Sequence, residues 1–294
     1  MDKFENSMIE KYVDEINKLS KSETYRRGKK IDLFLKNIRH FKFIKAMKNL
    51  LSSFKTEKNK TKTNKISINF NHIDRKIVVY TCVTGKYDNL KDPLYYDNNI
   101  DYIVFSDTEI KSSIWKWYPI PEKLIGYSNN NINRYIKMHP HEFFSDKYDY
   151  ALYIDGNVLV LAPVYDLFLS INTKVGFSMH KHVIRNCVYD EIDACIKFKK
   201  GNKANLKKYK AYLKSINYPK NNGLLEATVI AYNLISLNFV KIMDEWWNKF
   251  IDFDTNRDQI VLPLVLHDCK ISLDDVSQLG ENVYSNLHFI IESH

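Results

Sequence analysis

Asp155, Gly156 and Asn157 stand directly after the apolar run Tyr150 to Ile154. A carboxylate at the C-terminal lip of a buried strand is where open α/β sheets hold their ligands. With an oxygen ligand two residues further on, the same face can chelate a hard cation or meet a diphosphate. In isolation an Asp-Gly-Asn tripeptide is an ordinary turn; its company gives this one weight. Two other strand-like runs end in polar residues: Lys76 to Val83 is closed by Thr84-Gly85, and Asp101 to Phe105 by Ser106-Asp107. If the three strands are parallel neighbours, their ends share one crevice. There Asp107 can accept a hydrogen bond from a uracil-type imide N–H. Arg134 and Lys137 lie three apart and share a helix face, which suits a guanidinium fork and a point charge to one diphosphate. The chain has no P-loop and no G-x-G-x-x-G, so phosphates must be met by cations.

Two carboxylates suit the part of a base. Glu226 follows the turn Tyr218 to Gly223 and precedes an apolar run, which puts it at a strand edge facing the cleft. Asp258, in Arg257-Asp258-Gln259, begins a helical stretch and serves equally well as an N-terminal capping acid. His180 and His182 alternate onto one face if the strand before them continues, with Arg185 close behind. They lack a third ligand at a recognised zinc spacing and suit binding of a sugar hydroxyl, a carboxylate or an acceptor better. Trp246-Trp247 falls in the helical series Phe239, Val240, Met243, Phe250 and reads as core before it reads as a sugar-stacking platform.

The elements that must position these residues alternate. Helical spacing covers Asn131 to Phe144, Val164 to Ile171, Arg185 to Ile216 as one or two helices, Leu237 to Phe250 and Gln259 to Leu266. Strand-like runs cover Val158 to Ala162, Lys174 to Met179 and Ala227 to Leu234. Strands alternating with helices imply an α/β domain with a mainly parallel sheet covered on both faces.

Composition narrows the class. At 294 residues the chain has room for one large α/β domain, here 75–294, and an appendage, 1–70. Cys82, Cys187, Cys195 and Cys269 show no C-x-x-C spacing and read as reduced core thiols. The chain shows no signal peptide, and no apolar run approaches the roughly 18 to 20 residues of a membrane span. The expectation is a cytoplasmic protein, peripheral on the inner face of the membrane at most. Residues 1–70 carry 18 of the 44 Lys plus Arg and 8 of the 35 Asp plus Glu, which leaves 26 against 27 elsewhere. That basic, helical extension, with Ile31 to Phe54 mixing aromatics and lysines, suits packing, self-association through residues 1–55, or an anionic membrane. Thr56 to Lys65 is a polar linker. Nucleic acid is disfavoured, since no reading module accompanies the basic segment.

Asn133 to Pro140 followed by Tyr148 to Asn157 resembles the helix and metal-motif strand of GT-A glycosyltransferases, in which an Asp-x-Asp ends the equivalent strand. Val79 to Asp88, His180-Lys181-His182 with Arg185, and Arg257-Asp258-Gln259 together look like the TOD/MUCI-type glycosyltransferase-like family, over about residues 75–290. The resemblance implies a GT-A-like, Rossmann-like domain that binds a nucleotide-sugar, in the first instance a UDP-sugar, through Thr81, Thr84, Tyr87 and Asp107. It places Arg134 and Lys137 near the diphosphate and Asp155 at the phosphates or a metal; the residues expected to be catalytic are Glu226, Asp258 and its neighbour Gln259. Asn157 stands where the wider pattern has a second Asp, so an Mn(II) or Mg(II) site of Asp155, Asn157 and a late histidine, His288 or His294, is weakened, and metal-independence stays open. The implied acceptor is a glycan or a lipid-linked acceptor in surface polysaccharide biosynthesis. Two other classes compete: a metal-dependent hydrolase of lipid amide type using His180, His182 and Asp155, and a non-catalytic glycan-binding protein.

Overall fold

The computed structural model describes residues 75–292; the basic extension 1–70 and His294 lie outside the described residues. Six strands form one sheet in the order β3-β2-β1-β4-β7-β6: β1 (Ile77–Val83), β2 (Ile100–Ser106), β3 (Lys116–Pro119), β4 (Tyr150–Ile154), β6 (Phe177–Lys181) and β7 (Leu225–Asn233). Strands β3, β2, β1 and β4 pair in parallel, while β7 runs antiparallel to both β4 and β6. A second, two-stranded sheet pairs β5 (Val158–Val160) with β8 (Phe289–Ile291). The expected α/β class with a mainly parallel sheet is therefore found, with β7 the reversed strand.

Alternation along the central strands divides the core in two. Val78, Tyr80 and Cys82 of β1, with Ala151 and Tyr153 of β4, face one apolar cluster. That side also buries residues of α1 (Asn129–Met138), α4 (Val188–Lys197), α5 (Lys203–Ser215), α6 (Val240–Phe253) and α7 (Leu262–Asp268). Ile77 and Val79, with Leu152 and Ile154, face the other, closed by α3 (Tyr165–Leu169), Trp115 and the small sheet. Both faces are covered, which is why the central strands read as unbroken apolar runs.

Most differences from the sequence reading trace to punctuation. The helical stretch before the central strand is two helices, α1 and α2 (Pro140–Phe144), because His139 precedes a proline and leaves the helical region at φ −118°, ψ 49°. The long lysine-rich stretch, expected as one or two helices, is two, split ahead of Asn202, the N-cap of α5. Strand β3 escaped notice because all four of its residues are exposed on a sheet edge. No helix of the described residues is long and apolar enough to cross a membrane.

Candidate active site

Because β2, β1 and β4 are adjacent and parallel, their C-terminal ends meet, as the spacing of their polar tips requires. Asp107, after β2, accepts a 2.8 Å hydrogen bond from the Gly85 amide after β1. Thr84 donates to the Asn129 carbonyl at 3.1 Å, tying the same turn to the start of α1. Gly85 has φ +63°, and a Cβ there would lie 2.2 Å from Asn129 Nδ2. Its lack of a side chain lets the β1 turn approach α1.

Helix α1 carries the cations. Ser128 caps it by accepting from the Asn131 amide, and Asn133 donates to the Cys82 carbonyl at 2.7 Å, fixing the helix over the end of β1. Near its C-terminus the Lys137 carbonyl accepts from Tyr80 and Tyr232 hydroxyls, each at 2.9 Å. The Lys137 ammonium meets the Ala227 carbonyl at 3.0 Å, Asp258 Oδ2 at 3.1 Å and Asp155 Oδ1 at 3.3 Å. Three acceptors match its three N–H groups. The Ala227 carbonyl is available because the β6–β7 ladder slips between Met179, paired with Ile230, and His180, paired with Glu226. Arg134 Nε lies 3.0 Å from Asp258 Oδ2 as an ion-pair contact, and its guanidinium also meets Asn133 Oδ1.

This geometry revises several expectations. Lys137 is 2 % exposed and fully occupied, so it serves as an internal counter-ion and not as a diphosphate contact. Asp258 is buried, and its carboxyl is held well below the ordinary carboxylate range: burial opposes ionisation, but the Arg134 and Lys137 charges outweigh it. A carboxylate so stabilised is a poor base. Nor does its side chain cap a helix: α7 begins after Val261, and it is the Asp258 carbonyl that accepts, from Val261 N, from Leu262 N and from Trp246 Nε1 at 2.9 Å. Gln259 is buried beside it. Thr81 is buried within β1 with its hydroxyl unpartnered among the described residues, and Tyr87 is largely exposed. Trp246 and Trp247 are core, as their helical spacing suggests.

Asp155 accepts from the Tyr153 hydroxyl at 2.8 Å, and its amide donates to the Thr228 carbonyl in the slipped segment of β7. Its side chain keeps 30 % exposure, against 4 % for Asp258. Glu226 enters the same lip from the start of β7. Burial pushes its carboxyl up to about 7, the Asp155 charge adding to the rise and a hydrogen bond from Thr228 opposing it. Tyr284, on the chain leading to β8, is pushed up to about 12 by burial and by the Glu226 and Asp155 charges, so all three share one electrostatic neighbourhood. Tyr284 had no motif to announce it.

The two histidines diverge. The ladder slip precedes His180, which is fully buried and whose Nε2 lies 2.8 Å from the Asn286 amide nitrogen. Burial lowers its pKa to about 4. His182 Nδ1 accepts from the Ile184 and Arg185 amides at 3.2 and 3.0 Å, which directs its Nε2 toward Glu191 at 3.6 Å and Glu226 at 3.9 Å. Arg185 pairs with Glu191. His182 thus borders the Glu226 carboxyl, whereas His180 belongs to a separate network with Asn286 and His288, and the two do not form a hydrolytic metal pair with Asp155.

His288 is held by Asn286 Oδ1 at 2.8 Å and Asp166 Oδ1 at 3.0 Å, and the Asn157 amide donates to the Glu292 carbonyl at 2.7 Å. Among the described residues no three His, Cys, Asp or Glu side chains converge as a metal cage. Asp155, with 30 % of its side chain exposed, has the chemistry of a ligand for a divalent ion of the magnesium kind, which takes one or two carboxylates and completes its shell with water and substrate phosphates.

No family model and no curated protein matches this chain. Solved structures that resemble it distantly include the following three. The WbbM bifunctional glycosyltransferase in its apo form is 11 % identical with a TM-score of 0.44, over 72 % of this chain and 40 % of that one. The galactosyltransferase LgtC, in complex with donor and acceptor sugar analogues, is 16 % identical with a TM-score of 0.40, over 64 % of this chain and 70 % of that one. Mouse xyloside xylosyltransferase 1, apo form, is 7 % identical with a TM-score of 0.40, over 75 % and 95 %.

Proposed function

We propose that this protein is a GT-A-type glycosyltransferase, related to the TOD/MUCI-type family, that moves a sugar from a nucleotide-diphosphate donor to a hydroxyl of a glycan or a lipid-linked acceptor. A UDP-sugar as donor fits the hydrogen-bonding floor that Thr84, Gly85 and Asp107 offer a base and ribose, and surface polysaccharide is the proposed product class. The observation that carries the reading is the pair Asp155 and Glu226: two carboxyls at one sheet lip, where β4 ends and its antiparallel neighbour β7 begins, with Glu226 pushed up to about 7 by burial.

In this reading the acceptor oxygen attacks the anomeric carbon while the bond from that carbon to the diphosphate oxygen breaks. The hydroxyl proton passes to Glu226, whose pKa of about 7 suits a base at neutral pH. Arg134, its side chain 18 % exposed, is the cation of α1 that retains access to a diphosphate. Asp155, the more exposed carboxylate of the lip, would hold a divalent ion together with water and the donor phosphates, and when bound that ion would supply charge neutralisation for the leaving diphosphate. His182, beside Glu226, is available to orient the acceptor.

Thermal denaturation with a panel of UDP-, GDP- and CMP-sugars, with and without Mn(II), tests the reading. Stabilisation by one nucleotide class is expected. Indifference to all of them, together with no release of nucleotide on incubation with glycan acceptors, would remove it.

A further inference from the structure

Away from the strand-end lip, residues 197–220 hold nine lysines and no aspartate or glutamate. The rest of 71–294 has the opposite balance: subtracting these nine from its 26 Lys plus Arg leaves 17 against 27 Asp plus Glu. So sharp a local reversal is not the mixed, solvated surface of an ordinary helix. Lys197, Lys199, Lys200, Lys203, Lys207, Lys208, Lys214 and Lys220 are exposed on the end of α4, on α5 and just beyond it.

On α5 the positions 203, 207, 210 and 214 follow the three- and four-residue steps of one helix face. Like charges at that spacing destabilise a helix, so the row is kept at some cost to the element that bears it. The row borders a shallow groove of about 390 Å³ between α4 and α5, lined by Asp193, Ile196, Lys207, Lys210, Ala211 and Lys214. Asp193 is neutralised there by Lys210, at 2.5 Å. Apolar side chains accompany the bases: Phe198, among Lys197, Lys199 and Lys200, is 62 % exposed.

We infer that the α4–α5 face docks on an anionic phospholipid surface, the lysine row facing headgroup phosphates and Phe198 entering the interface. Lysine clusters beside an exposed aromatic suit that partner, in which charge attracts and apolar area inserts. Duplex nucleic acid would use the charge and leave Phe198 in water. The face is held firmly to the domain: the Asn202 amide donates to the Thr255 carbonyl at 3.1 Å and Asn205 donates to the Asp254 carbonyl at 2.9 Å. The docking residues are separate from Asp155 and Glu226, so this inference stands or falls apart from glycosyl transfer.

The test is flotation of the full chain with phosphatidylcholine vesicles, pure or mixed with phosphatidylglycerol. Binding to the mixed vesicles alone, weakened by added salt, is expected. Lys203→Glu, Lys207→Glu and Lys214→Glu together should lower it at least about tenfold, since several surface charges reverse at once. These side chains are exposed, so the melting curve should be unchanged; a triple Lys→Gln variant serves if it is not. Phe198→Ser should weaken vesicle binding while leaving any binding to duplex DNA untouched. The inference is overturned if the wild type ignores mixed vesicles, if the triple variant floats as well as the wild type, or if duplex DNA is bound as tightly as the vesicles at the same salt.

Discussion

The Lys137 ammonium and the Asp258 carboxylate lie 3.1 Å apart with 2 % and 4 % of their side chains exposed, an ion pair sealed beneath the lip of the sheet. Removing one member of a buried pair leaves the other charged and unsolvated. Lys137→Met should therefore destabilise the domain by about 3 kcal/mol, the lower end of the usual range, because Arg134 still faces Asp258. Urea unfolding of the variant against the wild type measures this, and a change below about 0.5 kcal/mol would show the pair to be solvated after all.

Glu226 couples stability to pH with a definite sign. Its carboxyl sits at about 7 in the fold against an ordinary value near 4.5, so the folded state favours the neutral acid. Its contribution is complete below the unfolded value and is lost as pH rises through about 7. Glu226→Gln should flatten the stability curve between these limits and stabilise the protein at pH 8 by roughly 2 to 4 kcal/mol. Melting curves across the range provide the check. On the proposed mechanism the same variant keeps nucleotide binding and loses turnover.

Asp155 raises its neighbour through charge, so Asp155→Asn should bring the Glu226 pKa down from about 7. NMR titration of labelled glutamate carboxyls reads this directly, without any substrate. Turnover should fall to background as the lip loses its more exposed carboxylate, and the melting temperature should fall modestly, because Lys137 loses one of its two charged partners. An unmoved Glu226 titration would mean that the two carboxyls do not sense each other.

Gly85→Ala should affect the nucleotide end of the cleft. The new Cβ would sit 2.2 Å from Asn129 Nδ2 on a backbone of φ +63°, so the turn must move and the Asp107 hydrogen bond with it. A loss of about 1 to 2 kcal/mol in stability is expected from strain at such a site. Weaker thermal stabilisation by nucleotide should accompany it; unaltered stabilisation would place the base elsewhere.

How far the site was readable depended on the kind of residue. Asp107, Asp155 and Arg134 were legible because strand ends and helix faces follow from spacing, and parallel packing then brings the strand ends together. Glu226 was legible as a strand-edge acid. The roles of Lys137 and Asp258 were not, because a buried ion pair between α1 and the chain before α7 joins residues 121 positions apart and leaves no local pattern. Nor was the parting of His180 from His182, since it follows from a ladder irregularity that alternation alone does not announce. Tyr284 shows the same limit, coming from a segment with no motif of its own.

The reversed direction of β7 carries a consequence for how such a cleft can diversify. Asp155 arrives where β4 finishes, whereas Glu226 arrives where its neighbour β7 starts, so two unrelated connections feed the two sides of one lip. Lengthening or shortening the turn at 217–224 would reshape the wall bearing Glu226 and leave the wall bearing Asp155 in place. Partner choice on one side can therefore drift while the grip on the other side is inherited intact.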